Sequence, residues 1–94
     1  MSVTGRLTMV RTYLVVLSPA YERDKIKEQF DKDPAISFWF FSLPHSIFVQ
    51  TSLSARELSD KIMRRFGEHL HFVTEVPANH WGVLPKDHWP YFKS

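Results

Sequence analysis

The clearest alternation of hydrophobic and polar positions lies in the middle of the chain, where a strand leads directly into a helix. From Ile47 to Leu53, one side is apolar, with Ile47 and Val49, and the other is mixed, which is the period of two expected of a strand. Ser54 and Glu57 then form an S-x-x-E capping box, in which each side chain bonds the backbone N–H of the other residue. The pattern predicts that a helix begins at Ser54.

Apolar residues recur along this helix at steps of four, as Leu58, Ile62 and Phe66, while charged residues occupy the solvent-exposed side. Gly67 follows directly, and glycine tolerates the left-handed conformation that commonly ends a helix. The spacing therefore predicts an amphipathic helix that ends at Phe66.

Four further segments have the pattern of regular elements. They are a strand at Tyr13–Leu17, a helix at Tyr21–Asp33, a strand at Phe38–Leu43 and a strand at Leu70–Val76. The first is a nearly continuous apolar run, typical of a central strand buried on both faces. Pro34 and Pro77 end the helix and the last strand. Pro44 marks a tight connection at Leu43–Ser46, which predicts a hairpin between the second and third strands.

The order of predicted elements is strand, helix, strand, strand, helix, strand, in two similar halves. Each helix carries an isoleucine followed four residues later by a phenylalanine, Ile26 and Phe30 in the first half and Ile62 and Phe66 in the second. This is the split βαβ pseudo-repeat, and right-handed crossovers would place both helices on one face of a four-stranded antiparallel sheet. We therefore predict an α+β, ferredoxin-like βαββαβ domain over residues 12–77, with one sheet face still to be covered.

The segments on either side of this domain lack a regular period. Residues 1–11 mix small, polar and apolar side chains and are interpreted as an N-terminal arm. Residues 78–94 are rich in Trp, Tyr and Phe, whereas disordered tails are normally poor in aromatic residues. We expect this aromatic C-terminal tail to pack on the domain or on a second protomer, with one helical turn possible at Pro85–Trp89.

The aromatic content points to a partner. The chain has 94 residues, enough for one domain, yet it carries three Trp and eight Phe, more ring surface than so small a core hides. The uncovered sheet face and the tail are therefore predicted to form a homodimer interface. Its expected members are Phe38, Phe40, Phe48, Trp81, Trp89 and Phe92.

The charge distribution allows only a local contact with nucleic acid. The net charge is +2, from 12 basic and 10 acidic side chains, so the chain has no strong overall field. Lys61, Arg64 and Arg65 cluster at the end of the second helix, and Arg6 and Arg11 lie in the arm. The helix dipole alone explains cations at a helix C-terminus, but a dimer would double the patch for phosphate contacts.

Cysteine is absent, which excludes disulfides and thiolate metal sites and fits a reducing cytoplasm. No stretch approaches the ~20 apolar residues that a membrane-spanning helix needs. We therefore expect a cytoplasmic protein without a membrane contact.

The histidines are the remaining candidates for chemistry. His69 and His71 would project from the same face of the last strand, near enough to share a metal, but the sequence fixes no third ligand. His45 in the hairpin, and His80 and His88 in the tail, could act as general bases, although a lone loop histidine is more often a surface residue. No catalytic residue, metal or cofactor is therefore assigned.

Several segments carry a family likeness. They are TYLVVL at residues 12–17, Tyr21, PHSIFVQTSLSARELSDKI at residues 44–62 and FVTEV at residues 72–76. On these segments the chain resembles the small SinR-like bacterial proteins related to CRISPR-associated protein two, the dimeric subunit of the spacer-acquisition complex. The resemblance covers roughly residues 12–76 and implies a ferredoxin-like homodimer that in some members contacts nucleic acid.

The resemblance also bears on catalysis. Some members are credited with metal-dependent nuclease activity, associated with an Asp at the end of the first strand that could hold Mg²⁺ across the dimer axis. Here that position is Ser18, and a hydroxyl lacks the charge needed to hold a hard divalent cation. Glu22 and Asp24 lie nearby but belong to a solvated helix face. The resemblance therefore supports the fold more than the nuclease activity.

The combined prediction is a non-catalytic homodimeric binding module that could contact nucleic acid. One alternative is a small cofactor-independent enzyme, in which a dimeric ferredoxin-like barrel encloses an aromatic pocket where His71 or His45 and a Trp act on an apolar substrate. A closed pocket lined by Phe and Trp with a buried His would favour it. The other alternative is a phage or mobile-element interaction factor, such as an inhibitor or a toxin–antitoxin component, with no nucleic-acid affinity and a large exposed aromatic patch.

Overall fold

The computed structural model describes residues 9–41, 43–77 and 79–92. The elements follow in the order β1 (Arg11–Leu17), α1 (Arg23–Lys32), β2 (Ile36–Phe40), β3 (Ser46–Thr51), α2 (Ala55–Phe66) and β4 (His71–Glu75), and a 3-10 helix (Lys86–Phe92) closes the described part. The predicted order of strands and helices is confirmed.

The four strands form one sheet in the order β2-β3-β1-β4, with every neighbouring pair antiparallel. This order places β1 and β3 in the centre, and both helices contribute to a single core on one sheet face. The chain therefore has the predicted ferredoxin-like α+β fold, extended by an aromatic C-terminal segment. Among the described residues, no helix is long and apolar enough to cross a membrane.

The core lies between the helices and the inward face of the central strands. Val15 and Val49 are fully buried there, and alternate residues of β1 and β3 lie beside them. The helices close the core with Ile26, Phe30, Leu58 and Ile62, all at most 2% exposed. Phe66, the last member of the pseudo-repeat, packs against this core but is only partly buried.

The ends of α2 follow the local sequence signals. Ser54 Oγ accepts a hydrogen bond from the Glu57 N–H at 3.1 Å, and Glu57 Oε1 accepts one from the Ser54 N–H at 2.8 Å. Gly67 has a φ of 98°, a left-handed conformation that a side chain would strain. The capping box and the glycine stop are confirmed.

Strand β2 differs from its prediction because of a bulge. Ile36 pairs with Thr51 and Phe38 pairs with Gln50, so Ser37 is an extra residue between two adjacent pairs. The bulge turns Ile36 towards the core and Phe38 towards the opposite face. The strand therefore begins before the predicted Phe38 and ends at Phe40 rather than Leu43.

Two other expectations need correction. Helix α1 begins at Arg23 rather than Tyr21, because the Tyr21 N–H closes a turn onto the Ser18 carbonyl at 3.1 Å and the Tyr21 ring is buried. Strand β1 is central, but it is not buried on both faces. Val16 remains 44% exposed on the side away from the helices, because no described segment covers it.

Candidate functional site

The sheet face opposite the helices is half covered by the C-terminal segment of the same chain. Phe40 and Phe48 stack with their ring centroids 4.9 Å apart, and the Phe92 ring meets both of them edge-on. Gln50 Nε2 donates a hydrogen bond to the Tyr91 carbonyl at 2.6 Å. As a result, Phe40 and Phe48 are only 5% and 6% exposed. The tail therefore covers the β2–β3 half of the sheet.

The β1–β4 half of this face remains open at the end where Val16 and Phe72 lie. Val16 and Phe72 are directly paired across the two strands and are 44% and 64% exposed. Leu70, which has the same parity as Phe72 along the chain, is 85% exposed. We call Val16, Leu70 and Phe72 the open strip. It combines a sheet edge with apolar side chains, which is typical of a surface that meets a partner.

The structure locates the residues that the sequence assigned to an interface. Phe38, Phe40 and Phe48 lie on the face opposite the helices, and Trp89 and Phe92 belong to the segment that packs there. Phe38 and Trp81 remain accessible, at 39% and 92% exposed. The interface role of all six stays a prediction. The open strip was missed, although the alternation of Leu70, Phe72 and Thr74 in the sequence already placed these side chains on one face.

A cavity of about 370 Å³ lies between the tail and the sheet. Its walls are mainly apolar and aromatic, and they include Leu14, Leu43, Phe48, Trp81, Trp89 and Phe92. The Trp81 and His80 rings both stack on Trp89, with ring centroids 5.4 Å and 6.4 Å away. His80 Nδ1 also forms a hydrogen bond with the Pro77 carbonyl. This volume and lining suit an apolar group. All of its lining residues belong to one chain.

A polar network links α2 to β4 at the end of the sheet. His71 Nε2 lies 2.6 Å from Ser59 Oγ, and His71 Nδ1 lies 2.9 Å from the His69 carbonyl. The Tyr21 hydroxyl lies 3.0 Å from the carbonyls of Gly67 and His69 and accepts a hydrogen bond from the His69 N–H. Both His71 nitrogens are therefore engaged within the fold. Among the described residues, no three or more His, Cys, Asp or Glu side chains are grouped to hold a metal ion.

The predicted basic cluster is only partly available. Lys61 Nζ contacts Asp33 Oδ2 at 2.8 Å, and Arg65 Nη2 donates to Gln29 Oε1 at 2.5 Å. Burial would raise the pKa of Asp33, but hydrogen bonds from Lys61 and the Ala35 N–H, together with the charges of Lys61 and Arg65, outweigh it and hold the pKa below its usual value. Lys61 therefore helps to stabilise the fold.

The other predicted cations are separated from this cluster. Helix α2 begins shortly after Thr51, which pairs with Arg11 at one end of β1. It ends shortly before His71, which pairs with Leu17 at the other end of β1. Arg11 itself lies 4.0 Å from Glu75. The length of β1 therefore separates Arg11 from the C-terminal turn of α2. Arg6 lies outside the described residues. Lys61, Arg64 and Arg65 do line one cleft between the helices, of about 230 Å³.

The remaining candidates have defined places. Ser18 lies at the end of β1, where its N–H donates to the Leu70 carbonyl at 3.0 Å. Glu22 forms an ion pair with Lys25 at 3.2 Å on the exposed side of α1. His88 stacks on Tyr91 at 5.8 Å, within the aromatic tail.

Three surfaces thus carry recognition chemistry: the open strip, the aromatic cavity and the basic cleft between the helices. They differ in character, since the first two are apolar and the third is cationic. No family model, curated protein or solved structure matches this chain.

Proposed function

We propose that the protein is a non-catalytic binding module that acts as a homodimer, of the SinR-like kind. The observation that carries this proposal is the exposure of the open strip beside a half-sheet that the tail already seals. Val16 and Phe72 are cross-strand neighbours on the sheet, yet both remain largely exposed. Covering such a pair with apolar surface contributes favourable free energy in proportion to the area removed from water.

A second copy is the occupant that suits this surface. A two-fold axis through the open strip would pair each strip with itself, as isologous dimers require. Trp81 lines the aromatic cavity, and its 92% exposed side chain would enlarge the contact. A stable interface needs roughly 1,000 Å² or more of buried surface, so the strip and its aromatic margin would act together.

The oligomeric state tests this proposal. Light scattering on the purified full chain is expected to give twice the chain mass of 11.1 kDa. The Phe72→Glu variant is expected to return to the monomer mass, because a carboxylate in the strip would be buried without a partner. Ser52→Glu introduces the same charge at an exposed loop position outside the strip and should remain dimeric. A monomeric wild type, or a dimer that survives Phe72→Glu, would exclude the strip as the interface.

Contact with nucleic acid is the second candidate, and the basic cleft favours it. Arg64 is exposed, and it forms no ion pair within the described ranges, so its charge remains available beside Lys61 and Arg65. Short duplex DNA and RNA should then bind with an affinity that falls log-linearly with salt concentration. Arg64→Gln is expected to reduce the slope by about one, and the absence of binding at low salt would remove this candidate.

A further inference from the structure

A separate concavity of about 240 Å³ lies where β1 ends. Its described polar lining consists of Ser18, Tyr21, Arg23 and His45. The Tyr21 hydroxyl is already bonded to the carbonyls of Gly67 and His69, which leaves a hydroxyl, a guanidinium and an imidazole. Among the described residues that line it there is no carboxylate. The concavity therefore presents donors and positive charge to any occupant.

Arg23 is held in place by an aromatic ring. It is the first residue of α1, and its guanidinium carbon lies 4.0 Å from the centroid of the Phe41 ring. A cation over an aromatic face is attracted to the ring and loses freedom to rotate away from it. The planar guanidinium can still donate two parallel hydrogen bonds to an oxyanion from its edge. The stacking thus orients the main charge of the concavity.

The hairpin and the end of β1 supply the other two groups. His45 has a φ of 58°, which is rare for a residue other than glycine, and its carbonyl accepts a hydrogen bond from the Leu17 N–H at 2.7 Å. Ser18 Oγ accepts a hydrogen bond from the Ala20 N–H at 3.3 Å, which leaves its own proton for another acceptor. The backbone therefore places His45 and Ser18 in the lining of the same concavity as Arg23.

The two carboxylates that flank Arg23 in the chain, those of Glu22 and Asp24, do not line this concavity. Glu22 precedes Arg23 in the chain, but its carboxylate contacts Lys25 at 3.2 Å, and it does not line the concavity. With Ser18, Arg23 and His45 lining the concavity, its chemistry favours an anion instead of a cation.

We propose that this concavity binds a phosphate monoester, with Arg23 pairing two phosphate oxygens and His45 and Ser18 donating to the third. A tetrahedral phosphate offers three terminal acceptor oxygens, whereas a carboxylate offers two, so three donor groups match it better. The site goes beyond dimerisation and does not depend on it, because none of its residues belongs to the open strip.

Titration calorimetry and amide chemical-shift mapping on the full chain at low salt test the site. Inorganic phosphate and a nucleoside 5′-monophosphate are the probes, and the nucleoside without phosphate is the negative probe. Saturable binding is expected below about 10 mM, with the largest shifts at Ser18, Arg23 and His45. Absence of saturation, equal binding of the nucleoside, or shifts elsewhere on the surface would overturn the proposal.

Matched variants separate a built site from general positive charge. Arg23→Gln should weaken phosphate binding by about tenfold or more, because a charge-assisted bidentate contact is lost. Lys32→Gln removes one positive charge from the exposed far end of the same helix and should change the affinity by about twofold or less, since an exposed charge acts weakly through water. Equal losses in the two variants would overturn the proposal.

Two further arms refine the result. Arg23→Lys keeps the charge without the planar fork and should give an intermediate affinity, whereas full recovery by lysine would contradict the paired contact. An oligonucleotide without terminal phosphates distinguishes the source of the phosphate. If it binds as tightly as the monophosphate, with the same loss in Arg23→Gln, the ligand is a phosphodiester and the monoester assignment is wrong.

Discussion

Replacing Phe92 with alanine tests whether the tail stabilises the domain by covering its own sheet. The Phe92 ring lies edge-on to Phe40 at 5.5 Å and to Phe48 at 5.0 Å. It also contacts Trp89 and His80, whose rings form the inner part of the tail. Removing the ring should therefore uncover the stacked phenylalanines and loosen the segment that holds the aromatic cavity together.

The expected loss follows from burial and ring contacts. A fully buried Phe→Ala change typically lowers the free energy of unfolding by 3–5 kcal/mol, and Phe92 is only partly buried, so we expect about 2 kcal/mol. Part of this loss comes from the edge-on ring contacts, each of which contributes roughly 0.5–1.5 kcal/mol to the free energy of unfolding. For a domain of this size, about 2 kcal/mol should lower the melting temperature by roughly 10 °C.

Thermal and urea denaturation of the full chain measure this loss, and binding of a hydrophobic dye reports the newly exposed sheet face. Val83→Ala is the matched control, because Val83 belongs to the same tail but is 96% exposed. It should change the melting temperature by no more than about 2 °C. A Phe92→Ala protein that melts like the Val83→Ala protein, with no increase in dye binding, would refute the covering role of the tail.

Two other changes probe the contacts between elements. Asp33 has a lowered pKa, so its ionised form stabilises the fold above its unfolded pKa of about 3.8, and this contribution is lost as the pH falls through the folded pKa. Between pH 7 and pH 2, the free energy of urea unfolding should therefore fall less steeply for Asp33→Asn than for wild type or for the exposed Asp24→Asn. Three parallel curves of this free energy against pH would contradict the prediction. Tyr21→Phe removes the hydroxyl that bonds Gly67 and His69 and should cost about 1–3 kcal/mol at an unchanged m-value, whereas Tyr91→Phe, at a ring 36% exposed, should be near neutral. Equal urea midpoints for the two tyrosine variants would show that the network contributes nothing.

Much of the fold was predictable because its signals are local. The capping box at Ser54 and the stop at Gly67 depend on a few adjacent residues, and both are confirmed in the structure. The pairs Ile26–Phe30 and Ile62–Phe66 identified the inward stripe of each helix, because helical spacing alone decides which side chains share a face.

The register of β2 was not predictable from its pattern. Ile36 and Phe38 are two residues apart and would share a face in a regular strand, but the bulge at Ser37 puts them on opposite faces. The outward face was equally undecided, because Phe48 is as apolar as its inward neighbours Ile47 and Val49. Only the tail, which covers Phe48 from a distant part of the chain, distinguishes the two sides.

The polar network around His71 depends on contacts between distant residues, and no spacing in the sequence encodes it. Tyr21 meets His71 across a separation of 50 residues, and Ser59 reaches His71 from a different element. The separation of Arg11 from Arg64 follows from the direction of α2 relative to the sheet. Such proximities can be derived only once the topology is known.

The net charge is a poor guide to recognition in this chain because some of its charges are paired locally and others are not. Among the described residues, four acids lie in ion pairs with neighbouring cations: Glu22, Asp33, Asp60 and Glu75. Arg23 and Arg64 are exposed and form no such pair there. Because salt screens exposed charges beyond about 8–10 Å, a ligand at the end of β1 responds to Arg23 and its neighbours and hardly to the total. A chain with a charge of only +2 can therefore carry a selective site for a phosphate group.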